Sequence, residues 1–219
     1  MRYQILPSIL SADWLRLGEE INAVMQAGAN TIHFDVMDNH FVPNLTFGPL
    51  ICQRLHESFP NLAIDVHLMA TPVERLIEDF ATAGAKRISI HPEATWHLDK
   101  NLQRIQALGI QAGIALNPAT SPECIAWCQH HLNFVLVMTV NPGFGGQHLL
   151  PAVIKKIEWI KTNHPQITIC VDGGIHVQNI KRIADAGATE FVMGSALFHS
   201  NDYAQMMQTL QAALTEPKR

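Results

Sequence analysis

The run Ile32-His33-Phe34-Asp35-Val36-Met37-Asp38 sets an imidazole and a carboxylate two residues apart among alternating apolar side chains. Such alternation marks a β-strand, in which residues i and i+2 share a face. His33 and Asp35 would therefore stand side by side, and such a pair at a strand end can begin a divalent-metal site. It can equally belong to a half-buried strand whose polar groups are merely hydrogen-bonded. Three glycine-bearing turns lie further along: Asn141-Pro142-Gly143-Phe144-Gly145-Gly146, Asp172-Gly173-Gly174 and Gly194-Ser195. Glycine lets backbone N–H groups approach an anion closely, so these turns are expected to bind phosphate.

The elements that must position these residues are announced by a recurring phrase. Ala27-Gly28-Ala29, Ala83-Gly84-Ala85 and Ala186-Gly187-Ala188 each end a helical pattern and precede a β-rich run; Leu108-Gly109-Ile110 is a weaker copy. Glycine commonly follows a helix because it takes the left-handed conformation easily. The copies are separated by multiples of roughly 25–28 residues, the length of one strand-plus-helix unit. Completing the series predicts strands over 4–6, 31–36, 63–67, 87–90, 112–116, 134–138, 168–171 and 190–193. Amphipathic helices fall between them, among them 14–25, 73–83, 153–161, 177–186 and 203–214. Thr71-Pro72 and Ser121-Pro122 both fit a helix cap followed by a first-turn proline. Eight such units over residues 1–219 predict an α/β single-domain (β/α)8 TIM barrel, a fold of about 250 residues with room to be smaller. An open doubly wound sheet is disfavoured, because G-x-G-x-x-G is missing after the first strand.

Barrel active sites lie at the C-terminal strand ends. Here those ends carry Ser8, His33 with Asp35, His67, His91, Asn117, Met138, Asp172 and Gly194-Ser195. His33, Asp35, His67 and Asp172 would together form a two-imidazole, two-carboxylate site open to substrate. It suits one divalent ion, zinc first, with iron, manganese or cobalt as alternatives. Met37, Met69 and Met138 stand at or just beyond strand ends, either as core packing or as a polarizable wall of the site. His91 could line the site but reads better as a structural histidine; His130, His131 and His199 read as loop residues, and Asp38 either supports the site residues from behind or orders its loop.

Composition narrows the partners. A net charge of −4 and no Lys/Arg cluster longer than Lys155-Lys156 leave no basic field for nucleic acid. No apolar run is long enough for a bilayer, and the N-terminal segment lacks the pattern of a signal peptide. Four cysteines do not suggest a disulfide framework, and Cys124 and Cys128 read as buried thiols rather than half of a zinc site. A cytoplasmic setting is expected.

Seven ordered motifs carry a resemblance along nearly the whole chain: Pro7 to Asp13, His33 to Pro43, Asp65 to Met69, Asn117 to Thr120, Val140 to Gly146, Val171 to Gly174 and Gly194 to Phe198. Together they resemble the ribulose-phosphate 3-epimerase family. Asn39 departs from the glycine common there, but Asn also tolerates a left-handed turn. The resemblance implies interconversion of D-ribulose 5-phosphate and D-xylulose 5-phosphate, in the pentose phosphate pathway, by inversion at carbon 3 through an enediolate. It further implies that Asp35 and Asp172 form the acid/base pair and bind the metal with His33 and His67. Ser8 and His67 are expected to contact substrate, and Gly143, Phe144, Gly145, Gly146, Gly173, Gly174, Gly194 and Ser195 to hold its phosphate. Family habit also implies a homo-oligomer.

Three rival readings fit less of the chain. A D-allulose-6-phosphate 3-epimerase would share barrel and metal but typically differs at the turns that here read Leu10-Ser11-Ala12 and Asp172-Gly173-Gly174-Ile175. A sugar-phosphate sensor has no need of opposed carboxylates. Decarboxylase or lyase barrels generally rely on a strand-end lysine, and none of these strand ends carries one.

Overall fold

A computed structural model describes residues 3–215, so the outermost ends of the expected 1–219 domain lie outside the described residues. Eight parallel strands follow in chain order: β1 Gln4–Pro7, β2 Thr31–Met37, β3 Ala63–Met69, β4 Arg87–Ile90, β5 Gln111–Leu116, β6 Phe134–Met138, β7 Thr168–Asp172 and β8 Glu190–Met193. The helices are α1 Leu17–Gln26, α2 Pro49–Ser58, α3 Glu74–Thr82, α4 Leu98–Ala107, α5 Ile154–Asn163, α6 Val177–Ala186, the short α7 Ser195–Phe198 and α8 Tyr203–Thr215. Strand order is β1-β8-β7-β6-β5-β4-β3-β2. A parallel bridge between Ser8 and His33 closes the ring between β1 and β2, which makes the fold a single-domain (β/α)8 barrel.

Alternation along the strands divides the core in two. Ile32, Phe34, Val36, Ile64, Val66 and Leu68 join a layer packed against the helices, while Leu6, Ala115, Phe134, Leu136, Met138, Cys170 and Val192 fill the barrel itself. Gly113 makes room there, since a Cβ at that position would lie 2.4 Å from the Phe134 ring. The inward residues of β2 to β4 are instead polar: His33 and Asp35, Asp65 and His67, Arg87 and Ser89, all buried. The repeat glycines end their helices as expected, with positive φ at Gly28, Gly84, Gly109 and Gly187.

Three expectations need correction. Pro72 does not open a helix: α3 starts at Glu74, and its cap, Val73, offers no side-chain bond. Thr71 is committed elsewhere, its N–H donating to Asp38 Oδ2 at 2.8 Å and its hydroxyl to the Ala94 carbonyl at 3.2 Å. Ser121 does cap the turn begun by Pro122, accepting from the Glu123 N–H, but Pro122–Trp127 is a 3-10 helix, as is Gln129–His131. No α-helix therefore crosses from β5 to β6; only Ile125 of the first turn is buried, too little apolar surface for an amphipathic face. Residues 14–16 likewise form a 3-10 turn before α1.

Candidate active site

Alternation on β2 and β3 aims His33, Asp35 and His67 into the barrel near its C-terminal rim, and the last residue of β7 adds Asp172. One ligand atom from each of the four lies within 4.8 Å of the others. His33 Nε2 is 3.3 Å from Asp35 Oδ1 and 3.9 Å from Asp172 Oδ2, and His67 Nδ1 is 3.3 Å from Asp35 Oδ1. His33 Nε2 is buried without a hydrogen-bond partner. An orphaned buried nitrogen facing carboxylates is costly by itself and is satisfied by a cation between them. This donor set can hold a divalent metal ion.

Three of the four are held from behind. His33 Nδ1 meets Asp65 Oδ2 at 2.7 Å, and Asp65 in turn pairs with Arg87 at 2.7 Å. The Arg87 guanidinium also reaches Glu190 at 2.6 Å and lies 4.3 Å from the centre of the Phe134 ring. His67 Nε2 faces His91 Nε2 at 2.8 Å. Asp35 Oδ2 accepts from the Ser8 hydroxyl at 2.6 Å, while the Thr46 hydroxyl donates to the Asp35 carbonyl at 2.6 Å.

These surroundings displace the two carboxylates in opposite directions. For Asp35, burial favours the neutral form, but His33 and His67 overcome it and hold the group well below the carboxylate range. For Asp172, burial and then the Asp35 charge push the pKa up to about 7. Burial also opposes charge on His33, yet Asp35 and Asp65 outweigh it and raise its pKa well above the ordinary value. His67 is lowered by burial. One carboxylate is thus kept ionised and the other is left able to carry a proton near neutral pH.

Above the cluster opens a cleft. Its wall includes Ser8, Asp35 and Asp172, the three methionines 37, 69 and 138, and all the glycine turns: Gly143 to Gly146 with Phe144, Gly173-Gly174, and Gly194-Ser195. His33 and His67 lie behind this wall, fully buried. Gly174 has φ +63°, and a Cβ there would lie 2.3 Å from the Leu149 backbone nitrogen. Only glycine allows β7's turn to press against the turn after β6 in this way. Asn179 of α6 fixes the same turn by donating to the Gly174 carbonyl at 2.8 Å. Asn44 crosses the mouth from the loop after β2 and donates to the Gly143 carbonyl at 2.9 Å.

The remaining sequence candidates resolve simply. Asp38 orders its loop by accepting from the backbone of His40, Phe41 and Thr71, and Asn39 beside it has φ +57°. His130, His131 and His199 do not line the cleft. All four cysteines are free; Cys128 is buried and Cys124 half-buried. Sequence reasoning did not single out Asp65, Arg87 or Glu190. A signal existed for the first, since Asp65 shares a face with His67 just as His33 does with Asp35.

A parallel barrel with paired imidazoles and carboxylates under a cleft ringed by glycine turns defines an enzyme of the (β/α)8 class, its site at the strand C-termini. The profile of the Ribulose-phosphate 3 epimerase family matches residues 4–198. The ribulose-phosphate 3-epimerase of Escherichia coli (strain K12) is 45% identical over 219 residues, covering 98% of this chain and 97% of that protein. That of Serratia marcescens is 47% identical, covering 92% and 98%. The chain belongs to the ribulose-phosphate 3-epimerase family and is an isomerase acting on carbohydrate. A 3-keto-L-gulonate-6-phosphate decarboxylase from Vibrio cholerae has the same fold, with TM-score 0.77 over 98% of both chains but 15% identity.

Proposed function

We propose that this chain interconverts D-ribulose 5-phosphate and D-xylulose 5-phosphate by inverting carbon 3, with Asp35 and Asp172 as the acid/base pair. The observation that carries the reading is the placement of these two carboxylates, one from β2 and one from β7, at the floor of one cleft and within 4.8 Å of two imidazoles. Carbon 3 adjoins the substrate carbonyl, so removing its proton gives an enediolate, and returning a proton on the opposite face inverts the centre. Asp35, reaching in from β2, takes the proton; Asp172, reaching in from β7, supplies the other, and the roles exchange in reverse. His33, Asp35, His67 and Asp172 would hold one divalent ion, zinc first among zinc, iron, manganese and cobalt. When bound, it supplies the positive charge that stabilises the developing oxyanion.

Ser8 orients Asp35 through its 2.6 Å hydrogen bond and presents its hydroxyl at the cleft. His67 stands behind Asp35, so its contact with substrate is expected to run through the carboxylate it positions. The Gly143–Gly146, Gly173-Gly174 and Gly194-Ser195 turns offer backbone N–H groups to the phosphate. Met37, Met69 and Met138 give the reacting carbons a low-dielectric, polarizable wall in which the oxyanion's contacts gain strength. Metabolically, the reaction belongs to the pentose phosphate pathway, in the cytoplasm.

The decisive experiment is incubation of metal-replete protein with each sugar phosphate in deuterated water, following carbon 3 by NMR. Deuterium entry is expected with the pentose phosphates. Absence of exchange in both pentose and hexose substrates would sink the epimerase reading, and exchange in D-allulose 6-phosphate alone would move it to the hexose enzyme.

We also read the protein as a homo-oligomer. Leu15 in the turn before α1, Leu45 in the loop after β2 and Leu50 in the first turn of α2 are 98%, 67% and 64% exposed, on segments joined where the Trp14 and Phe47 rings meet at 4.4 Å. A sedimentation mass of one 24.3 kDa chain would rule this out.

A further inference from the structure

His91 directly follows β4 and meets His67 through like atoms. The two Nε2 atoms lie 2.8 Å apart, the ring centroids 5.0 Å apart, and both residues are fully buried. Two lone pairs, or two N–H groups, would repel at that separation. The contact is a hydrogen bond only if one ring gives a proton and the other a lone pair. Which ring gives is settled at the far nitrogens. His67 Nδ1 faces Asp35 within the four-residue cluster. A neutral imidazole offering its Nδ1 lone pair to a cation must keep its proton on Nε2. His91 Nε2 must then accept, which puts the His91 proton on Nδ1.

The surroundings of His91 suit that arrangement. Its Nδ1 is buried without a hydrogen-bond partner, and a carboxylate oxygen, Glu93 Oε2, lies 3.9 Å from it. The ring packs against Phe41, whose centroid lies 4.9 Å away, and the Ala94 N–H fixes the backbone by donating to the His91 carbonyl at 3.0 Å. We propose that His91 is a positioning residue of the metal site: it accepts the Nε2 proton of His67 and so locks that ring in the tautomer whose Nδ1 is open to a divalent cation. The proposal rests on reading the four-residue cluster as a metal site and adds a fifth residue that touches no ion. Asp65 does the same for His33, so each imidazole has its own acceptor, one a carboxylate and one neutral.

The test measures zinc affinity by competition with a chelator. His91→Phe keeps a ring in the space and removes the acceptor, and its zinc Kd is expected to rise by about 10–100-fold. His91→Gln, whose amide oxygen can accept, is expected to recover most of that loss. Melting of the zinc-free variants reads packing separately. Equal zinc affinity in the unsubstituted protein and His91→Phe overturns the proposal and leaves the four-residue site standing. Failure of the unsubstituted protein to bind zinc overturns both. Nitrogen-15 NMR of the zinc-loaded, unsubstituted protein needs no variant: protons are expected on His67 Nε2 and His91 Nδ1, and a proton on His91 Nε2 overturns the assignment.

Discussion

Asp35 accepts from Ser8 at 2.6 Å and faces two imidazoles at 3.3 Å, whereas Asp172 meets only His33, at 3.9 Å, beside the charge of Asp35. Two identical side chains thereby acquire the different proton affinities that a two-base inversion requires. Asp35→Asn and Asp172→Asn are each expected to lower kcat by at least about 10²–10⁴-fold, with circular dichroism unchanged. A near-normal rate in either would refute its role. Asp172 also makes a stability claim. Its folded pKa of about 7 lies above the ordinary 3.8, so the folded protein keeps a proton there that the unfolded chain has lost. That contribution is full below about pH 4 and fades as pH rises to about 7. In chelator-treated protein, Asp172→Asn should therefore raise the urea midpoint relative to the unsubstituted chain more at pH 8 than at pH 4. The opposite trend would contradict the displacement.

At the level of elements, the β7 turn joins the proposed acid, Asp172, to the proposed phosphate-binding glycines. Asp172 ends the strand, Gly173 and Gly174 follow at φ +110° and +63°, and Asn179 of α6 holds the Gly174 carbonyl. A side chain at Gly174 would push the turn away from Leu149 and carry the anion-facing N–H groups with it. Gly174→Ala is expected to destabilise the fold by about 1–3 kcal/mol. KM for the sugar phosphate should rise about tenfold or more, since small misplacements of binding groups are costly. Urea unfolding and steady-state kinetics check the two effects separately.

Across the whole molecule, the barrel interior is apolar on the β5–β8 side apart from Asp172 and Glu190, and ionic toward β2–β4. The chain Glu190–Arg87–Asp65–His33 runs through that interior to the cluster, linking β8, β4, β3 and β2. Arg87 lowers the Asp65 pKa against the pull of burial, so Asp65 stays an acceptor for His33. Arg87→Leu leaves Asp65 and Glu190 without their cation. Removing one partner of a buried pair costs about 3–5 kcal/mol, and urea unfolding should register a loss of that size. A loss under about 1 kcal/mol would show that the chain adds little to the fold.

The sequence by itself determined the eight strands, the glycine stops and the four residues of the cluster. These follow from local rules: side chains two apart share a strand face, and glycine alone takes positive φ without strain. Thus 87–90, 134–138 and 190–193 are strands to the residue, and His33 with Asp35 could be placed side by side before any fold was known. Only the tertiary structure decided who stands behind them. Asp65 reaches His33 because strand register sets the two opposite each other, and Arg87 reaches Asp65 by the same pairing one strand further on. Glu190 arrives from 103 residues away, and His67 meets His91 diagonally from the neighbouring strand, two residues beyond its register partner Ser89. Register and closure depend on how all eight strands pack at once, and no local window of residues contains that information.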